Sequence, residues 1–167
     1  MSETDFNWIT PHIAVGGFVP YGSEADLARE HKVGAVIDCR EEASDDTEAL
    51  AAAGMAFCRL PTPDHHGLAR PDLDVGVAFA RERLAAGDKV LIHCQHGIGR
   101  SALLALCLLV DQGMAPAAAL ALAKNRRWQI SPSPHQYEAW ARWLKANGHP
   151  PAPPFQDFQD VAYRHLR

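Results

Sequence analysis

Residues 93–101 read HCQHGIGRS and place a thiol and a guanidinium six positions apart, with an apolar run before them and another after them. A tight loop of this length brings Cys94 and Arg100 to a single tetrahedral oxyanion. The planar fork of Arg100 matches two phosphate oxygens, which the point charge of a lysine does not. A thiolate at the same focus attacks phosphorus. These residue types at this spacing therefore indicate the hydrolysis of phosphomonoesters.

The two apolar runs predict that the segment is a loop between a strand, residues 89–93, and a helix, residues 101–112. The first N–H groups of a helix lack partners and carry partial positive charge, so a loop that curls into a helix start binds anions. Glycine permits the tight turns and the close approach of a ligand that such a loop needs. The same positive field lowers the pKa of a thiol below its free value of about 8.5. The predicted oxyanion-binding residues are Gln95, His96, Gly97, Ile98, Gly99 and Arg100.

This stretch resembles the signature loop of the cysteine-dependent protein tyrosine phosphatase superfamily, in which His-Cys is followed by five residues, Arg, and then Ser or Thr, the order found here. The resemblance implies that Cys94 is the nucleophile, which forms a phosphocysteine, and that Arg100 clamps the phosphate. It further implies that the Ser101 hydroxyl eases thiolate departure and that His93 orients the loop and tunes the thiol. A thiolate nucleophile needs no metal, and the nearby histidines lack the spacing of metal sites, so neither a metal nor a cofactor is expected.

Cleavage of a phosphomonoester also needs an acid that protonates the leaving oxygen. Asp64 is the leading candidate, because it lies in the turn-rich segment 61–67 and 30 residues before Cys94. This segment resembles the mobile acid loop of the same superfamily. Asp72 and Asp74 are the alternatives, but they follow a proline, and acidic residues in the first turn of a helix are ordinary helix-start chemistry.

Four further residues are candidates for the site, and two of them also have a purely structural interpretation. Gln136 stands where relatives often carry a polar residue that positions water for phosphocysteine hydrolysis; alternatively, it is an exposed residue in the first turn of a helix. His65 and His96 are candidates for the mouth of the pocket. Some superfamily members carry a cysteine where Cys39 stands, and there it forms a protective disulfide with the nucleophile during oxidation. The alternative for Cys39 is a small apolar residue at a strand end.

Apolar segments that alternate with helical patterns predict an α/β fold with a central, mostly parallel sheet and helices on both faces. The signature loop then lies between the last core strand and the central helix. Sites in such sheets lie beyond the carboxyl ends of the strands, where Cys94 falls. Ser23 is predicted to cap the first helix. The predicted strands are 13–17, at the edge of the sheet, 33–39, 56–60 and 89–93, and the predicted helices are 23–30, 45–53, 71–86, 101–112, 116–126 and 134–146.

Residues 6–16 resemble the N-terminal hairpin of the compact dual-specificity branch of the superfamily. We therefore predict a dual-specificity-phosphatase-like catalytic domain over residues 1–148 and a proline-rich C-terminal tail over residues 149–167. The proline run stiffens the tail. Beyond it, apolar residues recur at nearly helical spacing, which predicts a short amphipathic helix that docks on the body of the protein. A partner protein is the alternative docking site.

The composition is typical of a single intracellular domain. A chain of 167 residues with 47% hydrophobic content is long enough to bury a sizeable core. Its net charge of −4 gives no reason to expect binding to nucleic acid or to an anionic membrane. No leader is recognisable, and no apolar run approaches the roughly 20 residues of a membrane span. Four cysteines, one of them reactive, predict a reducing compartment and a cytoplasmic location. The sequence leaves the oligomeric state open.

The composition of the loop guides the choice of substrate. Gln95, His96 and Ile98 carry no fixed positive charge, whereas lipid phosphatases of the superfamily tend to place lysines there. The expected substrate is therefore a phosphorylated protein or peptide, with phosphotyrosine, phosphoserine and phosphothreonine all admitted by a shallow pocket. The alternatives are a non-protein substrate, either a phosphoinositide or an RNA 5′-phosphate, and a catalytically silent phosphate-binding module.

Overall fold

A computed structural model describes residues 3–166 of the chain. In this part of the chain, five strands form one sheet in the order β1-β2-β5-β3-β4. The first strand pairs antiparallel with its neighbour, and the other neighbouring strands are parallel, which confirms the prediction of a mostly parallel sheet. The strands are β1 (Phe6–Trp8), β2 (Ile13–Gly16), β3 (Val33–Arg40), β4 (Ala56–Thr62) and β5 (Lys89–His93).

Helices follow the strands in the order that the sequence predicts. Proline stands in the first turn of three of them, where its missing N–H costs no hydrogen bond. Within residues 3–166 the α-helices are α1 (Glu24–Arg29), α2 (Thr47–Ala52), α3 (Arg70–Ala85), α4 (Arg100–Asp111), α5 (Pro116–Arg126), α6 (Pro134–Ala146) and α7 (Phe155–Ala162), and a 3₁₀ turn covers Arg164–Leu166.

The sheet is covered on both faces, as predicted. On one face, Leu27 of α1 and Leu50 of α2 pack with Val36 and Leu91 of the two central strands. The other face carries the larger layer, in which α3, α5 and α6 surround α4. Every residue of α4 from Arg100 to Val110 is buried. A helix that is apolar nearly all round must lie inside the protein. The first turn of α4, into which the signature loop leads, is therefore held in the core.

One local prediction at the N-terminal end is wrong. The strand that starts at Ile13 is not at the edge of the sheet, because the three residues of β1 pair along its outer side. Ser23 stands at the N-cap position of α1, as predicted, but its side chain makes no capping hydrogen bond, since its hydroxyl donates to the carbonyl oxygen of Pro20 at 2.6 Å. One helix boundary also differs from the prediction. The second helix begins at Thr47 rather than at Asp45, with Asp46 as its cap.

The C-terminal tail forms the short helix α7, which contacts α5. Phe158 of α7 is fully buried, and its ring lies near the rings of Tyr137 and Trp140 on α6. Trp140 and Trp143 are buried packing residues. Among residues 3–166, no helix combines the length and the apolar character that crossing a membrane requires.

Candidate active site

The signature loop begins at the carboxyl end of β5 and ends where α4 starts. β5 lies between two parallel neighbours, so its end is fixed from both sides. Gly97 has a φ of +69°, and a Cβ atom there would lie 2.5 Å from the carbonyl carbon of Gly16. A Cβ atom at Gly99 would lie 2.4 Å from Oε1 of Gln136. The two glycines therefore let the loop turn tightly against its neighbours, as the sequence predicts.

Cys94 is buried, and its sulfur lies among hydrogen-bond donors. The N–H of Gly97 donates to Sγ at 3.3 Å, and the hydroxyl oxygen of Ser101 lies 3.2 Å from Sγ. Burial raises the pKa of the thiol, but hydrogen bonds from Ser101 and Gly97 and the charge of Arg100 outweigh it and bring the pKa below its ordinary value. The arrangement favours the thiolate, which is the reactive form of a cysteine.

Arg100 is buried, and its terminal nitrogens are held by the segment that follows β3. Nη1 donates to Glu42 Oε1 at 2.7 Å and to the carbonyl oxygen of Thr62 at 2.8 Å, and Nη2 donates to Glu42 Oε2 at 2.8 Å. This ion pair lowers the pKa of Glu42 to about 2. An arginine carries five N–H groups. The Nε–H, which has no partner among the described residues, and one hydrogen of Nη2 are left for a phosphate.

A buried ion-pair network supports His93 from below the loop. Nε2 of His93 lies 2.6 Å from Asp45 Oδ2, and Nδ1 lies 3.2 Å from the carbonyl oxygen of Cys94. Burial lowers the pKa of His93, but the Asp45 carboxylate outweighs it and raises the pKa above its ordinary value. Since both ring nitrogens lie against acceptors, the ring is arranged to carry two protons. The pair with Asp45 thus favours the protonated form of His93, which directly precedes the nucleophile in the chain.

The same network contains the one group of possible metal ligands that the described residues form, namely Asp38, Asp45 and His93. The guanidinium of Arg40 donates to both carboxylates and to the side-chain oxygen of Gln95 at 3.1 Å. The Arg40 guanidinium therefore already supplies a positive charge to these carboxylates. Its hydrogen bond to Gln95 connects the network to the signature loop.

Arg127 holds the outer side of the loop. Its Nε donates to the carbonyl oxygen of Gly97 at 2.8 Å, and its Nη2 donates to that of His96 at 2.9 Å. Asp5 accepts from both terminal nitrogens. The backbone N–H of Ser131 donates to the carbonyl oxygen of Ile98 at 2.9 Å. These donors hold the loop carbonyls away from the sulfur, so that the Gly97 N–H is free to point at it.

The structure brings Asp64 to the same pocket as Cys94 and Arg100. The pocket has a volume of about 210 Å³, and Asp64 Oδ1 lies 3.6 Å from Nη2 of Arg100. The side chain of Asp64 is half exposed. The complete lining is Asp64, His65, Cys94, His96, Ile98, Gly99, Arg100, Ser131, Ser133 and Gln136. The two predicted mouth residues, His65 and His96, therefore line the pocket.

Residues 63–67, here called the acid loop, are hydrogen-bonded to the start of α6. The hydroxyl of Ser133 donates to the carbonyl oxygen of His65 at 2.7 Å, and the N–H of Gly67 donates to His135 Nδ1 at 2.7 Å. His65 has a φ of +64°, which is uncommon for a residue with a side chain. The backbone of the acid loop is thus fixed at His65 and Gly67, directly after Asp64.

Gln136 lies in the first turn of α6, and two hydrogen bonds hold its side chain. Its Oε1 accepts from the backbone N–H of Ser133 at 2.8 Å in a capping box at the start of α6. Its Nε2 donates to the carbonyl oxygen of His66 at 3.1 Å. The side chain is buried, not exposed, and it lies in the wall of the pocket. One hydrogen of Nε2 remains for water or phosphate.

The remaining candidates are not among the described residues that line the pocket. Asp74 accepts a hydrogen bond from the indole nitrogen of Trp143 at 2.9 Å, and neither Asp72 nor Asp74 is among the described residues that line the pocket. Cys39 is a free thiol inside the main apolar cluster. Burial, with the nearby Cys94 thiol, raises the pKa of Cys39 well above its ordinary value. A disulfide between the two cysteines stays a prediction.

Sequence reasoning missed three residues that hold the site. Glu42 binds the guanidinium, Asp45 binds His93 and Arg127 binds the loop carbonyls. One signal was present in the sequence: charged residues follow directly on the buried strand β3. Charged groups at the carboxyl end of a parallel strand often belong to a site. For Arg127, which lies in a basic stretch at the end of α5, the sequence carries no such signal.

The fold and the site geometry are those of the cysteine-dependent phosphatase superfamily, dual-specificity type. A family profile described as "Dual specificity phosphatase, catalytic domain" matches residues 19–145, and the chain belongs to this family.

Known relatives include a lipid phosphatase. The chain is 27% identical over 143 residues to the phosphatidylglycerophosphate phosphatase PTPMT2 of Arabidopsis thaliana, with 80% of this chain matched. The match spans about three fifths, 61%, of that relative's length. The crystal structure of PTPMT1 in complex with PI(5)P has a TM-score of 0.79 and 25% identity, and it covers 84% of this chain and 95% of that one. Human DUSP28 shares the fold, with a TM-score of 0.76, 21% identity, and coverage of 88% of this chain and 97% of that one.

Proposed function

We propose that this protein is a phosphomonoesterase that works through a phosphocysteine intermediate. The observation that carries the proposal is the position of the Cys94 sulfur. It accepts the Gly97 N–H and lies against Ser101, in a pocket that Arg100 and Asp64 also line. This is the arrangement of an activated nucleophile, an oxyanion clamp and a proton donor.

In the first step, the Cys94 thiolate attacks phosphorus. An S–P bond forms while the P–O bond to the leaving group breaks, and the electron pair of that bond goes to the leaving oxygen. The protonated carboxyl of Asp64 gives this oxygen its proton, so that a neutral alcohol or phenol departs. The two unused N–H groups of Arg100 hold phosphate oxygens, and the ion pair with Glu42 keeps the guanidinium in place.

In the second step, water attacks phosphorus and the S–P bond breaks. The sulfur leaves as a thiolate, and the hydroxyl of Ser101, 3.2 Å from Sγ, donates to it. The carboxylate of Asp64 takes the proton from the water, and inorganic phosphate is released. The remaining N–H of Gln136 orients that water. The thiolate needs a reduced cysteine, which supports a reducing compartment such as the cytoplasm.

The pocket favours a substrate with one phosphate group. Arg100 is the only lysine or arginine among the described residues that line it. Asp64 and Glu42 add negative charge beside the guanidinium. A substrate with several phosphates would find no second basic side chain among the described residues that line the pocket. We therefore propose a phosphorylated protein side chain, phosphotyrosine first, as the substrate.

A second candidate is a lipid phosphomonoester. It is supported by the relatives named above, one of which is a phosphatidylglycerophosphate phosphatase and another of which was crystallised with PI(5)P. The monoester phosphate of such a lipid headgroup fits the same clamp, while its phosphodiester lies further along the headgroup. A panel of phosphotyrosine, phosphoserine and phosphothreonine peptides, phosphatidylglycerophosphate, PI(5)P and 5′-phosphorylated RNA compares kcat/KM directly. A higher kcat/KM for either lipid than for every peptide would show that the substrate is a lipid and not a protein.

The chemistry is tested with Cys94→Ser and a matched control, Cys58→Ser, which changes a half-buried thiol outside the pocket. We expect Cys94→Ser to lose hydrolysis of p-nitrophenyl phosphate and Cys58→Ser to retain it. Acid quenching of the wild-type enzyme during turnover, followed by peptide mapping, should recover phosphate on Cys94. Wild-type protein that binds phosphate analogues without turnover would instead identify a silent phosphate-binding module.

A further inference from the structure

The C-terminal tail is hydrogen-bonded to the same short segment that forms one wall of the active site. We call residues 128–133, between α5 and α6, the wall segment. On one side, its Ser131 N–H donates to the Ile98 carbonyl oxygen, and its Ser133 hydroxyl donates to the His65 carbonyl oxygen. The wall segment thus contacts both the signature loop and the acid loop. Contacts on the other side of the wall segment therefore affect the positions of both the signature loop and the acid loop.

Tyr163, just after α7, is the first such contact. Its hydroxyl donates to the carbonyl oxygen of Pro132, which stands between the two serines that contact the loops. Burial raises the pKa of the Tyr163 phenol, so the group keeps the proton that it donates. The bond ties the end of the tail to the centre of the wall segment.

Lys124 of α5 is the second contact. Its ammonium group is buried and donates at 2.7 Å to the carbonyl oxygens of Ile130, in the wall segment, and Ala162, at the end of α7. Nδ1 of His165 lies at the same distance from it, and the His165 ring contacts Trp128 edge-on, 5.5 Å between centroids. One side chain therefore joins the tail to the wall segment through two carbonyl groups.

The tail also has contacts that do not reach the wall segment. The hydroxyl of Tyr137, on α6, donates to the carbonyl oxygen of Pro153 at 2.6 Å, and its ring packs on Phe155 and Phe158. These contacts fix the tail on the body of the protein. The structure thus separates general docking of the tail from its specific connection to the active-site wall.

We propose that Tyr163 and Lys124 are positioning residues for catalysis, through which the tail holds the wall segment and, with it, the signature loop and the acid loop. The tail lies beyond the residues matched by the family profile, which end at 145. The proposal rests on the proposed phosphatase function, because the geometry that the tail maintains is that of Cys94 relative to Asp64.

The test compares Tyr163→Phe with Tyr137→Phe. Each variant removes one hydroxyl from an aromatic ring at the tail interface, but only the Tyr163 hydroxyl donates to the wall segment. The contact of Tyr137 with the wall segment is made by its backbone N–H, which donates to the Ser133 carbonyl oxygen and is kept in Tyr137→Phe. We expect similar losses of thermal stability in both. Only Tyr163→Phe should lower kcat for p-nitrophenyl phosphate, on the order of 3- to 10-fold, because small displacements of reacting groups are costly. KM should stay within about twofold, since the bound phosphate still meets the same donors.

Amide hydrogen exchange supplies a readout that does not depend on activity. The Ser131 N–H should exchange several-fold faster in Tyr163→Phe than in Tyr137→Phe, because its bond to Ile98 loses support. A folded Lys124→Met variant should likewise show a lower kcat and a faster exchange of the Ser131 N–H. Equal kcat and equal Ser131 exchange in both tyrosine variants would overturn the proposal, as would an equal loss of kcat in both. An inactive wild-type protein would refute the phosphatase function, and the exchange comparison would still decide the role of the tail.

Discussion

The ion pair between Glu42 and Arg100 leads to a quantitative prediction. The perturbation is Glu42→Gln, which keeps the shape of the side chain but removes its charge. An amide can accept from one terminal nitrogen of Arg100, but its NH₂ group then meets the other nitrogen, which is also a donor. The bidentate contact, with N–O distances of 2.7 and 2.8 Å, is therefore lost.

The magnitude follows from the pKa of Glu42. Its fall from 4.5 to about 2 corresponds to about 3.4 kcal/mol at 1.36 kcal/mol per pH unit. The Glu42 side chain is 44% exposed, so solvent screening reduces this upper limit to about 1 kcal/mol. We expect Glu42→Gln to lower the free energy of unfolding by about 1 kcal/mol at pH 7. A looser guanidinium should also lower kcat/KM, on the order of tenfold.

The pH dependence has a definite sign. The folded-state pKa of Glu42 is lowered, so its contribution to stability is complete above about pH 4.5 and is lost as the pH falls toward about 2. The difference between wild type and Glu42→Gln should shrink over this window. Urea unfolding at several pH values measures it, with Glu41→Gln as the control, because it removes an equal charge from the neighbouring exposed residue. Equal stability and equal kcat/KM in the two variants would refute the reasoning.

Three other substitutions test the site. Asp45→Asn breaks the buried pair with His93 and should cost about 3 kcal/mol of unfolding free energy. Since the pair raises the His93 pKa, the loss of unfolding free energy should be largest below about pH 6.5 and should decline as the pH rises. The acid limb of the kcat/KM profile should also move to higher pH. Asp64→Asn should lower kcat for phosphotyrosine peptides about 100-fold or more, and much less for p-nitrophenyl phosphate, whose leaving group barely needs a proton. Equal losses of kcat on both substrates would show that another residue is the acid. Gly99→Ala places a Cβ atom against Gln136 and should lower stability by about 1 to 2 kcal/mol, as a thermal scan would show.

The sequence predicted the parts of the site that are local in the chain. Cys94, Ser101 and Arg100 lie in one continuous stretch between a strand and a helix, and both elements have clear apolar patterns. Such patterns specify the turn into a helix and hence the anion-binding loop. The fold class follows from the same alternation of elements.

The missed parts depend on contacts between distant segments. Asp45 and His93 are 48 residues apart, and Glu42 and Arg100 are 58 residues apart. Which charged side chains meet is decided by the strand order, which places β3 beside β5. The misplaced edge of the sheet has a similar cause. β1 has only three residues, too few for a recognisable alternation.

The contact of Arg127 with Asp5 bears on the order of folding. These residues are 122 positions apart, and the same guanidinium holds the carbonyl groups of the signature loop. Closing so long a segment has a large entropic cost, so we expect this contact among the last to form. During synthesis, the emerging chain has its cysteine long before it has Arg127. Until Arg127 has been synthesised and holds the loop carbonyls, we expect the thiol to be less reactive than in the folded protein.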